Sequence, residues 1–113
     1  MDMTKIEQLF EKLKKEKRKA LVVFLTAGYP DIKTTEKNIL EIEKYADIIE
    51  LGIPFSDPIA DGATIQYSSQ KALKKNINLK KIFSIVKNIR KKTNIPIALM
   101  GYLNPIYNFG LEK

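Results

Sequence analysis

The sequence predicts an α/β fold in which helices surround a small parallel sheet. Three short apolar runs alternate with segments whose apolar residues recur at helical spacing, in the order helix, strand, helix, strand, helix, helix, strand. Strands that alternate with helices form βαβ units, in which the strands are parallel and the crossovers right-handed. A loop follows each apolar run, at 26–30, 52–62 and 101–108. Functional residues of parallel sheets lie in such loops.

Local patterns predict the first helix and the first strand. Thr4 and Glu7 have the spacing of a capping box, in which each side chain bonds the backbone N–H of the other residue. This helix is predicted to run to about Lys17. Its apolar face consists of Ile6, Leu9, Phe10 and Leu13. The uninterrupted apolar run Ala20–Leu25 then predicts a strand that is buried on both faces.

The middle of the chain is predicted to contain a second helix, a second strand and a third helix. The second helix spans about 34–45, and the short apolar run at 48–51 is the next buried strand. Gly, Pro, Ser and Asp are concentrated at 52–62, which predicts a loop. A helix is predicted from about 63 to 75.

The last third of the chain is predicted to form one more helix and one more strand. Asn78 is a suitable N-cap for a helix whose apolar face contains Ile82, Ile85, Val86 and Ile89. Pro96–Met100 is predicted to be the third strand, with Pro at its first position, where a sheet tolerates it. Residues 101–110 are predicted to be a loop, and 111–113 the beginning of a further helix.

The composition limits the chemistry that the chain can perform. None of the 113 residues is Cys or His, which excludes thiol nucleophiles, disulfides and triads that depend on His. Catalysis would therefore use carboxylates, Lys, Tyr or backbone groups, and we expect no metal site. No apolar run approaches the ~20 residues of a membrane span, and no signal-peptide core follows Met1. We expect a cytoplasmic protein without a membrane partner.

The formal charge of +7 is concentrated in residues 71–92, which contain nine basic residues and no acidic ones. A basic stripe can bind nucleic acid. However, 18 of the 20 basic residues in the chain are Lys, which is a strongly hydrated point charge and a poor reader of bases. The stripe also has few aromatic residues. We interpret it as a solvated helix surface and expect no nucleic-acid partner.

Glu50 is a carboxylate within an otherwise apolar strand. An ionised Glu is almost never fully buried without a partner. At the C-terminal end of a strand it would point into the mouth of the sheet, where partial removal from water favours the protonated form that a general acid needs. The alternative is a structural role, in which Glu50 pairs with a nearby Lys or caps a backbone group.

Asp61 is a second carboxylate near the outlet of the same strand. It lies two residues before the predicted helix start at Ala63, so it could simply be a capping residue. Asp57, within Ser-Asp-Pro, is an even better turn residue. Still, Glu50 and Asp61 would place two carboxylates around one strand end, and two carboxylates in different environments can act as acid and base on one substrate.

Three segments together resemble the tryptophan synthase alpha subunit family. The longest is IELGIPFSDPIADG at 49–62, which continues to Ile65 and Gln66. FLTAGYPD at 24–31 resembles the first strand and loop of that family, and PIALMGYLNPI at 96–106 resembles its third strand and loop. The resemblance extends from about Lys5 onwards. One departure is Ala63, where the family usually has Pro.

The resemblance implies the fold and the reaction. It implies a partial TIM (β/α)₈ barrel, consisting of an N-terminal helix and the first three parallel strands with their helices, in a single domain that spans 1–113. A complete barrel needs roughly 250 residues. The family is a lyase of tryptophan biosynthesis, which cleaves indole-3-glycerol phosphate to indole and glyceraldehyde 3-phosphate in a retro-aldol reaction.

The resemblance also assigns roles to individual residues. Glu50 matches the catalytic glutamate that moves protons between the glycerol hydroxyl and indole C3. Asp61 matches the catalytic aspartate that accepts a hydrogen bond from the indole N–H and stabilises the indolenine tautomer. Phe24 matches a position that packs on the indole ring, and Tyr102 a position near the substrate. Phe24 would equally satisfy a purely structural role in the strand, and the same holds for Tyr102.

The family's partner and cofactor follow from the same resemblance. Indole passes to a beta subunit within an α₂β₂ heterotetramer, and the alpha subunit itself needs no cofactor. Pyridoxal phosphate belongs to the beta subunit. The segment 54–62 resembles the loop that contacts that subunit and closes over the substrate. Asp57 and Pro58 are therefore candidate interface residues.

The sequence also lacks parts of the family's site. In the family, the phosphate site is built from the loops after the seventh and eighth strands, and a mobile loop follows the sixth strand. The 113 residues are expected to contain only the first three strands. We therefore expect the 113 residues alone to be marginally stable and almost inactive. The alternative to an enzyme is a truncated, non-catalytic remnant that docks on a beta subunit through loop 54–62. A different phosphate-binding barrel would not explain the long match at Glu50–Gln66.

Overall fold

The helices and strands follow one another in the predicted order, with one additional helix. The computed structural model describes residues 2–112. The strands are β1 (Val22–Thr26), β2 (Ile48–Gly52) and β3 (Ile97–Met100). The helices are α1 (Lys5–Glu16), α2 (Ile32–Ile42), α3 (Ala63–Lys74), α4 (Leu79–Ile89) and α5 (Leu103–Phe109). Within residues 2–112, every helix is too short or too polar to cross a lipid bilayer.

The three strands form one parallel sheet in the order β1-β2-β3. Side chains alternate between the two faces of a strand, and directly paired residues share a face. One face therefore carries the register row Phe24, Glu50 and Ala98. The other face carries the row Val23, Ile49 and Ile97. We call the face with Glu50 the open face and the face with Ile49 the covered face.

The hydrophobic core lies between the covered face and helices α2 and α4. Ile49 and Leu51 of β2 are completely buried there, in one cluster with Ile39 of α2. The predicted apolar face of α4 supplies Ile82 and Ile85, which are also completely buried. Full burial of one such side chain contributes about 1.5–3 kcal/mol. The covered face is therefore stabilised by contacts that lie within these 113 residues.

Three helices begin at side chains that cap them. The capping box of α1 is confirmed: Thr4 Oγ1 accepts from the Glu7 backbone N–H at 3.2 Å, and the Glu7 carboxylate accepts from the Thr4 N–H at 2.7 Å. The cap of α4 is also confirmed, since Asn78 accepts from the Lys81 N–H. Helix α2 begins earlier than predicted, because Asp31 is its N-cap and accepts from the Thr34 N–H at 2.7 Å.

An ion pair ties the end of α1 to the amino ends of β1 and β2. The Arg18 guanidinium donates to both carboxylate oxygens of Asp47, at 3.0 and 3.2 Å. One of these oxygens also accepts from the Leu21 backbone N–H at 2.8 Å. The Arg18 guanidinium, and after it the Leu21 N–H, lowers the pKa of Asp47. Asp47 thus connects the end of α1 to the amino ends of β1 and β2 at one edge of the fold.

The prediction that the first strand is buried on both faces is wrong. Strand β1 begins at Val22 rather than Ala20, and Val22 is 42% exposed. Burial increases along the strand only towards Thr26. The physical reason is that β1 is at the edge of the sheet among the described strands, and α3 covers its open face near Thr26 but leaves Val22 exposed. The central strand β2 is instead the most buried of the three.

The loop predicted at 101–110 contains helix α5. Its Pro105 is the third helical residue, where the backbone N–H would have no partner within the helix, so the ring is tolerated. Ile106 and Phe109 face the core, and the Phe109 ring lies 5.3 Å from the Phe83 ring of α4. The helix predicted from 111 is absent at Leu111 and Glu112, which form a turn. Lys113 lies outside the described residues.

Candidate active site

The open face of the sheet ends in a cleft of about 530 Å³. It lies at the C-terminal ends of the three strands, where the loops after them converge. The lining residues come from all three strand ends and from α3: Phe24, Glu50, Gly52, Ile53, Ala60, Asp61, Ile65, Ser69, Met100, Gly101 and Tyr102. The cleft therefore brings together Phe24, Glu50, Asp61 and Tyr102. Apolar and small residues form most of the remaining wall.

Glu50 projects into the cleft from the centre of the sheet. Its neighbours Ile49 and Leu51 are completely buried on the covered face, whereas Glu50 itself is only partly buried. Among residues 2–112, its carboxylate has neither an ion pair with a basic side chain nor a hydrogen bond. The described part of the chain thus does not support the structural alternative of a Lys pair or a backbone cap. The carboxylate is available to a ligand.

Asp61 is not the helix cap that it could have been. Gly62 is the N-cap of α3, and no side chain bonds the first turn of that helix. The Asp61 carboxylate instead accepts a hydrogen bond from the Tyr102 hydroxyl at 3.2 Å. Its backbone is fixed by Gln66, whose side-chain amide donates to the Asp61 carbonyl at 2.8 Å. Asp61 is therefore turned towards the cleft and away from the end of α3.

The far end of the Phe24 ring lies over Gly52 of β2. A side chain added at Gly52 would overlap the Phe24 ring, so Gly at this position allows the ring to approach the neighbouring strand. Phe24 is also next to Glu50 in the sheet register. An aromatic surface and a carboxylate thus lie side by side on the open face.

Tyr102 lines the cleft, but its hydroxyl already has partners. The oxygen accepts from the Ala60 backbone N–H at 2.9 Å and donates to Asp61. Its ring lies 5.1 Å from the Phe55 ring. The structure therefore places Tyr102 beside the cleft, with its hydroxyl bonded to the loop at 54–62.

Asp57 and Pro58 lie outside the cleft, at the tip of the same loop. Asp57 is exposed and accepts a hydrogen bond from the Ser56 hydroxyl at 3.0 Å. Its carbonyl accepts from the backbone N–H of Ile59, the side chain of which is 91% exposed. The loop tip therefore lies on the surface of the chain and not in the cleft.

Sequence reasoning did not assign seven of the eleven lining residues to the site, among them Ile65, Ser69 and Met100. Ile65 and Ser69 are four residues apart on α3, and this spacing places them on one helix face. Ser69 is only 5% exposed. Met100, at the end of β3, completes the wall. The helical spacing of Ile65 and Ser69 was the available signal.

Residues 2–112 contain no cluster of carboxylates that could hold a metal ion.

Comparisons with known proteins identify the family. A family model described as the tryptophan synthase alpha chain matches residues 10–113. The chain belongs to the tryptophan synthase alpha chain family. The curated alpha chain of Geotalea daltonii is 57% identical over 112 residues, which are 98% of this chain and 42% of that protein. The alpha chain of Caldanaerobacter subterraneus is 54% identical and is covered to 43%. This chain thus spans less than half the length of these relatives.

Solved structures support the fold in the same way. The alpha subunit of tryptophan synthase from Legionella pneumophila superposes with a TM-score of 0.91 at 39% identity, covering 96% of this chain and 42% of that one. A tryptophan synthase complex from Pyrococcus furiosus gives a TM-score of 0.78 at 52% identity, covering 81% of this chain and 38% of that one. The predicted fold class is confirmed: three parallel strands with their helices form part of a TIM barrel.

Proposed function

We propose that the protein containing this chain cleaves indole-3-glycerol phosphate to indole and glyceraldehyde 3-phosphate, as a lyase of tryptophan biosynthesis. The observation that carries the proposal is the pair of carboxylates, Glu50 and Asp61, in one largely apolar cleft beside an aromatic ring. Such a cleft suits a substrate with a flat apolar ring and a polar side chain. Membership of the alpha chain family supports the same reaction.

Glu50 would move the protons of this retro-aldol reaction. Its protonated form donates a proton to indole C3, and the resulting carboxylate removes the proton from the adjacent glycerol hydroxyl. The bond between indole C3 and the glycerol carbon that bears this hydroxyl then breaks. Its electron pair restores the aromatic ring, and the glycerol carbon becomes the aldehyde. The side chain has no partner among the described residues that would compete for its protons, and this supports the role.

Asp61 and Phe24 would bind the ring that changes during the reaction. Protonation at C3 develops positive charge on the ring nitrogen, which a fixed carboxylate stabilises. Asp61 has its backbone and its side chain held by separate hydrogen bonds, as that task requires. Phe24, which lines the cleft with its ring over Gly52, offers an aromatic surface on which an indole can stack.

The phosphate group of the substrate would be held outside this cleft. No Lys or Arg lines the cleft among the described residues, whereas two carboxylates do. A phosphate dianion would be repelled there by like charge. Phosphate binding supplies much of the positioning energy for a substrate of this kind. We therefore retain the prediction that the 113 residues by themselves have almost no activity.

We also propose a beta-type partner subunit, in an α₂β₂ assembly, that contacts the loop at 54–62. The exposure of Asp57 and of the neighbouring apolar Ile59 supports a contact surface at the loop tip. The proposed reaction needs no cofactor in this chain, and pyridoxal phosphate would belong to the partner. The same surface favours the second candidate function, a non-catalytic chain that only docks on a beta subunit.

A hybrid chain separates the two functions. Residues 1–113 are joined to the remaining part of the Geotalea daltonii alpha chain, and indole release from indole-3-glycerol phosphate is measured. We expect turnover that falls by about 10²–10⁴-fold in Glu50→Gln, which removes a general acid and base while keeping the shape of the side chain. The matched control is Glu11→Gln on the exposed side of α1, which leaves turnover unchanged. Equal turnover in both variants would refute the proposed role of Glu50.

The docking function makes a different prediction for the same chains. If the chain is a non-catalytic remnant, the hybrid binds a beta subunit, and binding weakens in Ile59→Ala, but Glu50→Gln changes nothing. If it is an enzyme, Glu50→Gln lowers turnover by the same large factor whether or not the partner is present. Calorimetric titration of each variant with the Geotalea daltonii beta subunit, together with the indole-release assay, distinguishes these outcomes.

A further inference from the structure

Tyr102 connects two segments that are far apart in sequence. It follows β3, whereas Ala60 and Asp61 belong to the loop between β2 and α3, 42 and 41 residues earlier. The Tyr102 oxygen accepts from the Ala60 backbone N–H at 2.9 Å, and its proton goes to the Asp61 carboxylate, with an oxygen-to-oxygen distance of 3.2 Å. One hydroxyl thus bonds both the backbone of the loop, at Ala60, and its Asp61 carboxylate.

The rest of the loop has few fixed contacts. Its tip is exposed, and Asp57, Ser56 and Ile59 bond only within the loop. Gln66 of α3 reaches the carbonyls of Pro58 and Asp61 from the C-terminal side. Within residues 2–112, the only side-chain hydrogen bonds to this loop from across the sheet are those of Tyr102. The packing of the Tyr102 ring on Phe55 adds to this tether.

The single proton of the Tyr102 hydroxyl limits the contacts that this residue can make with a ligand. A phenol has a single proton to donate. In this structure Asp61 receives it, so Tyr102 cannot also donate to a ligand in the cleft unless the bond to Asp61 breaks. Its contribution to a reaction would therefore pass through the placement of Asp61. Displacement of a reacting group by 1 Å can cost up to about 10²-fold in rate.

We propose that Tyr102 is a positioning residue, whose hydroxyl holds the 54–62 loop and thereby sets the place of Asp61 in the cleft. This role differs from the substrate contact that the resemblance implied for Tyr102. The inference rests on the proposed function for its effect on rate, but the tether itself is a property of the loop. The two can therefore be measured separately.

The first test measures the tether without reference to activity. Tyr102→Phe in the hybrid chain removes the oxygen and keeps the ring that packs on Phe55. Amide hydrogen exchange of the loop, with resolution at Ala60, should then become at least about fivefold faster, because the Ala60 N–H loses its acceptor. The matched control is Tyr45→Phe, since the Tyr45 side chain is 75% exposed and far from the loop in sequence. Unchanged exchange at Ala60 in Tyr102→Phe would overturn the tether.

The second test asks whether Tyr102 acts through Asp61. We expect Tyr102→Phe to lower kcat for indole release by about tenfold with little change in KM, since it misplaces a group without removing a substrate contact. In an Asp61→Ala background, the same substitution should change kcat/KM by less than about twofold. An equal, additive loss in both backgrounds would mean that Tyr102 acts on the substrate directly, and the inference would be wrong.

The outcomes for the proposed function and for this inference are distinguishable. An inactive hybrid, or a Glu50→Gln variant with full turnover, would contradict the proposed function and leave the exchange measurement intact. Faster exchange together with an additive rate loss would contradict the route through Asp61. Unchanged exchange would contradict the tether even in a fully active hybrid.

Discussion

The two faces of the sheet differ in what stabilises them. On the covered face, Ile49 and Leu51 are completely buried by helices that belong to the same 113 residues. On the open face, Phe24 and Glu50 are only partly buried, and Val22 is 42% exposed. Neighbouring residues of a single strand therefore have opposite surroundings, because side chains alternate across a pleated sheet.

This difference shows how the chain separates packing from chemistry. The covered face can be apolar throughout, since its residues only have to fill the space under α2 and α4. The open face can hold a carboxylate without a partner, because the cleft gives Glu50 partial access to water. Substitutions on the covered face should therefore alter stability, and substitutions on the open face should alter activity.

The largest stability effect is expected from the covered face. In the hybrid chain, Ile49→Ala removes three carbons from a completely buried site at the centre of the sheet and should lower the free energy of unfolding by about 2–5 kcal/mol. Ile59→Ala makes the same chemical change at a residue that is 91% exposed, and we expect less than about 0.5 kcal/mol. Urea unfolding measures both. Similar losses would remove the distinction between buried and exposed sites.

A smaller effect is expected from Gly52→Ala, which introduces a methyl group on the open face. The new Cβ would overlap the Phe24 ring, which must move away from β2. We expect a loss of about 1–3 kcal/mol in stability from overpacking and a fall of about tenfold in kcat/KM. Adding Phe24→Leu to this variant should restore part of the stability but not the activity. If it restores neither, the overlap with Phe24 is not the cause.

The smallest effect on stability is expected at Asp47, which lies at the amino end of the sheet. Because the folded state lowers its pKa below the ordinary 3.8, the carboxylate contributes stability above that pH and loses it as the pH falls through the lowered value. The urea midpoint of Asp47→Asn should lie below that of the unsubstituted hybrid at pH 7, and the gap should shrink below about pH 4. A gap that is independent of pH would exclude the ion pair with Arg18 as its origin.

Most of the fold could be predicted because the signals are local. The capping box at Thr4 and Glu7, the Asn78 cap and the apolar face of α4 each depend on residues within one or two helical turns. The exposure of β1 could not be predicted in this way. A run such as Ala20–Leu25 predicts a strand, but its burial depends on what lies beside and beneath it, which is set by the tertiary structure.

The candidate site was predicted less completely. Glu50 stood out as a carboxylate in an apolar strand, whereas Asp61 could equally have been a cap until the structure showed Gly62 in that position. The bonds of Tyr102 to Ala60 and Asp61 span about 40 residues, and no local pattern indicates them. Helix α5 was missed because Pro105 and its neighbouring Asn residues have the composition of a loop.

The alternation along β2 also has a consequence for folding. If this strand paired one residue out of register, Glu50 would move to the side packed by α2 and α4, and Ile49 or Leu51 would move into the cleft. An unpaired carboxylate in that core would cost on the order of several kcal/mol. The group proposed to move protons therefore also disfavours misaligned sheets, so that Glu50 helps to specify the structure in which it acts.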